Sequence, residues 1–122
     1  MKLTVAIVDD EPLARDRLRR LVSAEPDLEI VAECASGPDA VAALTSCRPD
    51  VVLLDIGLPD ISGYEAARQI RKLQGVRQPK LIALTGWGQA QDKQMAAQAG
   101  FDQHWTKPVD PQKLLDLAAA AS

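Results

Sequence analysis

Residues 3–12, LTVAIVDDEP, decide the fold: an apolar run rich in β-branched residues stops at two aspartates, and a proline then opens a helix. Such a run reads as a strand buried on both faces, and acids followed by Pro mark a helix start. The stretch after it, to about Glu25, carries Ala14, Leu18, Leu21 and Val22 on one helical stripe. A strand followed at once by an amphipathic helix is the repeating unit of a parallel sheet.

The unit recurs along the chain. Leu28 to Cys34 reads as a second strand, and Ser36-Gly37-Pro38-Asp39 opens a helix carrying Ala40, Val41 and Leu44 that ends near Cys47. Pro49-Asp50 resets the chain into a third strand, Val51 to Leu54. After a loop from Asp55 to Gly63, residues Tyr64, Ala67, Ile70 and Leu73 fall at helical spacing. Gln78-Pro79 precedes strand four, Leu81 to Leu84, and a helix from about Gln89 to Ala99 is stopped by Gly100. A short strand, roughly Asp102 to Trp105, leads to a last helix, about Pro111 to Ala120, that turns Leu114, Leu115 and Leu117 toward the sheet. Five strands alternating with five helices predict an α/β fold: a doubly wound parallel sheet with right-handed crossovers, one domain over residues 1–122 with no effector domain.

Only 3% of the residues are aromatic, so the core must rest on Val, Leu, Ile and Ala, which suits Ala-rich helices over a sheet. A net charge of −3 gives no basic surface for a polyanion, which argues against direct nucleic-acid binding. Arg15, Arg17, Arg19 and Arg20 fall within one amphipathic helix and read as its solvated face. Cys34 and Cys47 lack metal-ligand or C-x-x-C spacing and read as free buried thiols. No stretch has the length of a signal peptide's apolar region or of a membrane span, so the expectation is a cytoplasmic chain with no membrane partner.

In an open α/β sheet, ligands sit at the carboxyl edge of the strands. Asp9-Asp10, Asp55, Thr85 and Lys107 each follow a predicted strand and so converge there. Taken singly, each has an ordinary explanation as a helix cap, turn carboxylate, strand-end hydroxyl or loop charge. Together they form a set suited to phosphoryl transfer. Two or three carboxylates suit Mg²⁺, with Asp10 and Asp55 ligating directly and Asp9 acting through a water or through its charge. Asp55 is the candidate nucleophile, and Lys107 with the cation would neutralise the transferring oxygens. Thr85 would donate its hydroxyl to one of them.

The chain resembles the receiver domains of two-component response regulators, through VDDEP at 8–12, LLDIGLPDISG at 53–63, ALTG at 83–86, AGFD at 99–102 and KP at 107–108. The resemblance covers essentially the whole chain. It implies a flavodoxin-like (βα)5 fold with strand order 2-1-3-4-5. It also implies that Asp55 accepts phosphate from a histidine kinase or a histidine phosphotransfer domain, that Asp9, Asp10, Asp55 and the backbone carbonyl of Gly57 hold Mg²⁺, and that Thr85 and Lys107 sense the phosphoryl group. A cis Lys107-Pro108 bond, and a homodimer through the face of helix four, strand five and helix five, come with it. His104 stands where many relatives carry an aromatic residue, three before the lysine, that swings inward; a histidine can rotate similarly, and the family places that side chain on the output face.

Two other functions share part of this inventory. A haloacid-dehalogenase-like phosphatase also uses an aspartate nucleophile, Mg²⁺, Thr and Lys, but wants a second aspartate two residues on, where Gly57 stands. A flavodoxin-like cofactor binder would need a phosphate loop after strand one, where DDEP would repel a phosphate. The leading reading is therefore a phosphorylation-switched signalling module, not a turnover enzyme.

The two halves resemble different branches of the family. DDEPLARDRLRRLVSAEPDLEIVAE is similar to receivers of LytTR-type regulators, and LIALTGWGQAQDKQMAAQAGFDQHWTKPV to receivers of hybrid histidine kinases. A recombined or engineered chain would have its seam near Arg48 to Val51, with poor packing between the halves as the physical signature.

Gly57 offers no side chain to orient a hydrolytic water, and Trp87, two beyond Thr85, could shield the acyl phosphate. Slow self-dephosphorylation is the expected result. After acetyl phosphate loading, Trp87→Glu should lose its phosphoryl group faster than the wild type; equal or slower decay would remove the shielding role.

Overall fold

The computed structural model describes residues 2–57, 63–75, 77–86 and 90–120. Strands and helices alternate as the sequence predicts: β1 (Leu3–Val8), α1 (Pro12–Ser23), β2 (Leu28–Cys34), α2 (Gly37–Ser46), β3 (Val51–Asp55), α3 (Gly63–Lys72), β4 (Lys80–Thr85), α4 (Ala90–Ala99), β5 (Gln103–Thr106) and α5 (Pro111–Ala120). All neighbouring strands pair in parallel, in the order β2-β1-β3-β4-β5. This is the flavodoxin-like order expected above.

Period-two alternation along the strands divides the core into two layers. Ala6, Val8, Val52, Leu54, Leu81 and Ala83 face α2, α3 and α4, where Leu44, Ala67 and Ile70 close over them. Val5, Ile7, Leu53, Ile82 and Leu84 face the other way, against Leu18 and Val22 of α1 and Leu114 and Leu117 of α5. A parallel sheet covered on both sides explains why its strands read as unbroken apolar runs.

Local signals place the helix starts. Pro12 opens α1 at a position where its missing N–H costs nothing, and Ser36 caps α2 by accepting from Asp39 N at 3.2 Å. At the amino edge of the sheet, the Asp50 carboxylate accepts from Thr4 N at 2.9 Å and from Thr4 Oγ1 at 3.0 Å, and it pairs with Arg77. Burial opposes ionisation of Asp50, but the Thr4 donors and the Arg77 charge outweigh it and hold its pKa below the usual carboxylate range.

Arg71, at the end of α3, bonds Gly100 O at 2.9 Å, Pro79 O at 3.0 Å and Asp102 Oδ2 at 2.9 Å. Gly100 has φ +105, and a Cβ there would lie 2.8 Å from Arg71 Cγ, so a side chain is excluded twice over. This clamp fixes the entry into β5.

Several expectations need correction. β5 begins and ends one residue later than read, because its ladder with β4 pairs Ile82 with Gln103 and Thr85 with Thr106. Leu115 is exposed, since α5 turns only Leu114, Leu117 and Ala118 inward. Cys47 is an exposed thiol at the end of α2 rather than a buried one, while Cys34 is buried, and burial pushes its pKa up. The seam signature is not found: β1 pairs with β3 from Val5↔Val51 to Val8↔Leu54, and each core layer draws residues from both halves. No helix among the described residues is long and apolar enough to cross a membrane.

The end of the loop after β3 sets the position of the site. Gly63 N donates to Ile56 O at 3.1 Å, and a Cβ on Gly63 would lie 2.4 Å from Ile56 Cα and 2.7 Å from the Asp55 carbonyl oxygen. Backbone cannot yield as a side chain does, so Gly63→Ala should lower the unfolding free energy by about 1–3 kcal/mol in urea denaturation; an unchanged midpoint would contradict this close approach.

Candidate functional site

β1 delivers Asp9 and Asp10 to the carboxyl edge of the sheet, β3 delivers Asp55, β4 Thr85, and the turn after β5 delivers Lys107. Parallel register makes these strand ends coincide. Asp9 N bonds Cys34 O at 3.0 Å, Ile56 N bonds Leu84 O at 3.2 Å, and Lys107 N bonds Thr85 O at 2.7 Å, which stitches the edge together beyond the regular ladders.

Asp9 is fully buried. Its Oδ1 accepts Glu11 N at 3.0 Å, and its Oδ2 accepts Lys107 Nζ at 2.6 Å. The same ammonium lies 3.4 Å from Asp55 Oδ2, while Gly57 N donates to Asp55 Oδ1 at 3.0 Å. Lys107 thus stands between two carboxylates, closer to the buried one. Burial pushes the Asp55 pKa up, and the Gly57 N–H and the shared ammonium offset it only in part. Burial acts to lower the Lys107 pKa, but the hydrogen bond to Asp9 and the charges of Asp55 and Asp9 win, so it is held above the ordinary lysine range. The Lys107-Pro108 bond is cis.

Asp9, Asp10 and Asp55 each offer a carboxylate oxygen, and these oxygens lie within 4.8 Å of one another. Asp10 is exposed and Asp55 partly so, which leaves an open side. A hard cation that takes a few carboxylates and completes its shell with water and phosphate oxygens fits this donor set. Mg²⁺ is therefore compatible with the residues present.

Thr85 is buried, and its Oγ1 lies 2.9 Å from His104 Nε2. His104 is half-buried and turned to that hydroxyl. Trp87 lies outside the described residues. Trp105 is buried and packs in the core layer with α1 and α5.

Two residues near the site were read otherwise from sequence. Arg15 Nη1 donates to Asp9 O at 2.8 Å, and Arg17 Nη2 donates to Val109 O at 3.2 Å, so both reach back to the backbone that carries the site. Only Arg19 and Arg20 make the surface ion pairs expected of a solvated face, with Asp16 and, for Arg19, Glu33. Their position in the first turns of α1, beside the loops at the sheet edge, was the available signal.

The chain is similar to known proteins over nearly its whole length. The family described as "Response regulator receiver domain" matches residues 5–119. The chain is 40% identical over 112 residues to the transcriptional regulatory protein BtsR of Salmonella typhimurium, covering 92% of this chain and 45% of that protein. It is 33% identical to an uncharacterised 14.6 kDa protein of Leptolyngbya boryana, over 95% of this chain and 87% of that one. Among solved structures, a two-component response regulator of the LuxR family from Aurantimonas superposes with a TM-score of 0.87 at 30% identity, over 99% of this chain and 85% of that chain. The chemotaxis response regulator CheY4 of Vibrio cholerae, 23% identical, matches over the full length of both chains with a TM-score of 0.85 and so shares the fold. The chain spans less than half the length of the BtsR relatives. These matches run through both halves alike and give no support to a LytTR-like first half joined to a hybrid-kinase-like second half.

Proposed function

The chain belongs to the response regulator receiver domain family, and from that premise we propose that Asp55 accepts a phosphoryl group, with Mg²⁺ bound at Asp9, Asp10, Asp55 and the Gly57 carbonyl, and thereby switches the conformation of the domain. Receivers are signalling modules, and the donor proposed here is the phosphohistidine of a histidine kinase or of a histidine phosphotransfer domain. The observation that carries the reading is the single ammonium of Lys107 set between the carboxylates of Asp9 and Asp55.

An Asp55 carboxylate oxygen attacks phosphorus in line; the new O–P bond forms as the donor's N–P bond breaks, and the electron pair leaves with the imidazole nitrogen. The Gly57 N–H fixes one oxygen of the nucleophile. The bound cation supplies charge neutralisation to the transferring oxygens. Lys107 supplies more of it from the other side and Thr85 gives a hydroxyl to a phosphoryl oxygen. The phosphoryl group adds nearly two negative charges, which draws Lys107 and Thr85 toward it and carries the loops after β4 and β5 with them.

The chain covers 45% of a relative named as a transcriptional regulatory protein, and the proposed place for any contact with nucleic acid is the part of such a protein outside the receiver, not this face. Pairing of two copies through α4, β5 and α5 is the proposed output form, and the cytoplasm the proposed site of action. Turnover of an external substrate forms no part of this reading.

Intact-mass measurement after incubation with acetyl phosphate and Mg²⁺ tests it. The wild type should gain one phosphate and Asp55→Asn none; an adduct of equal yield on the variant would contradict the assignment.

A further inference from the structure

The contact between Thr85 and His104 is not needed to hold the strands together, because β4 and β5 are already paired from Ile82↔Gln103 to Thr85↔Thr106. It joins a buried hydroxyl at the site to a half-buried imidazole on the neighbouring strand, Oγ1 to Nε2 at 2.9 Å. Ala83, the residue opposite His104 in the ladder, is small and leaves the ring room on the Thr85 side, while Ala96 and Ala97 of α4 line a separate groove at the ring.

A threonine hydroxyl owns one hydrogen and two acceptor sites. If the imidazole accepts, it takes the only hydrogen, and Thr85 has none to give a phosphoryl oxygen. If Nε2 carries the proton, His104 donates into a lone pair and takes no hydrogen from the hydroxyl. Nearly two negative charges arriving on Asp55 favour the second alignment, because both dipoles then point their positive ends at the phosphoryl group, and each bond of such a chain strengthens the next.

We infer that His104 is a positioning residue for Thr85: in the phosphorylated protein its Nε2–H donates to Thr85 Oγ1 and turns the hydroxyl hydrogen onto a phosphoryl oxygen. The inference rests on the phosphoacceptor reading above. It assigns the imidazole a polar function that a phenylalanine at this place could not perform.

Beryllofluoride with Mg²⁺, a stable stand-in for the aspartyl phosphate, is the probe. Its affinity is measured on the wild type, His104→Phe, His104→Gln, Thr85→Val and the His104→Phe/Thr85→Val pair, each checked for native circular dichroism. His104→Phe should bind about fivefold more weakly, the loss expected for one hydrogen bond. His104→Gln, which keeps a donor, should recover most of that loss, and His104→Phe should change nothing further in the Thr85→Val background. In the loaded wild type, the ¹⁵N spectrum of the histidine should show Nε2 protonated.

Wild-type affinity in His104→Phe, an equal loss with and without Thr85, or an unprotonated Nε2 in the loaded protein would each overturn the inference while leaving phosphoacceptance standing. If the wild type binds no more beryllofluoride than Asp55→Asn does, the phosphoacceptor reading fails and this inference with it.

Discussion

The Lys107 ammonium, 2.6 Å from the fully buried Asp9 carboxylate and 3.4 Å from that of Asp55, is the interaction on which the carboxyl edge of this sheet depends. An isolated buried carboxylate is costly by several kcal/mol unless a counter-charge and hydrogen bonds meet it. Asp9 has both, from Lys107 and from Glu11 N. The fold forces the problem and supplies the answer by one device: parallel strands in the order β2-β1-β3-β4-β5 end side by side, so the acids after β1 and β3 and the base after β5 cannot avoid one another.

Among the described residues, the carboxylates of Asp9, Asp10 and Asp55 meet the Lys107 ammonium, with the Arg15 guanidinium behind them on Asp9 O, and the edge is open toward Asp10. A divalent cation at these carboxylates would relieve their mutual repulsion, and would thereby alter the way Lys107 divides itself between Asp9 and Asp55. The backbone around it is held from outside by Arg15 on Asp9 O and Arg17 on Val109 O, while Lys107 N is held on Thr85 O. Under the proposed function, a change of charge at Asp55 would be felt first by the turn after β5 and by the end of β4. Those segments adjoin α4 and α5, the elements through which a receiver would signal outward.

The strands were legible in the sequence because a doubly covered sheet demands unbroken apolar runs, as in LTVAIV and VVLL, and the helix starts because Pro12 and Ser36 mark them. The convergence of Asp9, Asp55 and Lys107 followed from placing each after a strand. What was not legible depended on side-chain direction or on pairing. Leu115 fits an apolar stripe by composition, yet the rotation of α5 leaves it in solvent. The bounds of β5 are set by hydrogen bonds to β4, which a four-residue strand does not advertise. Arg15 and Arg17 share a composition with Arg19 and Arg20, and only the third dimension separates those that bond the backbone beside the site from those that pair with acidic side chains. The turn of His104 toward Thr85 is likewise a matter of rotamer, on which the sequence is silent.

Urea denaturation of Lys107→Met, with and without excess Mg²⁺, tests the central claim most directly. Removal of the ammonium should cost about 3 kcal/mol or more without the cation, because a buried carboxylate loses its partner. Mg²⁺ should return most of that loss by replacing the missing positive charge. Unchanged stability in the variant, or a loss that Mg²⁺ leaves untouched, would contradict the account.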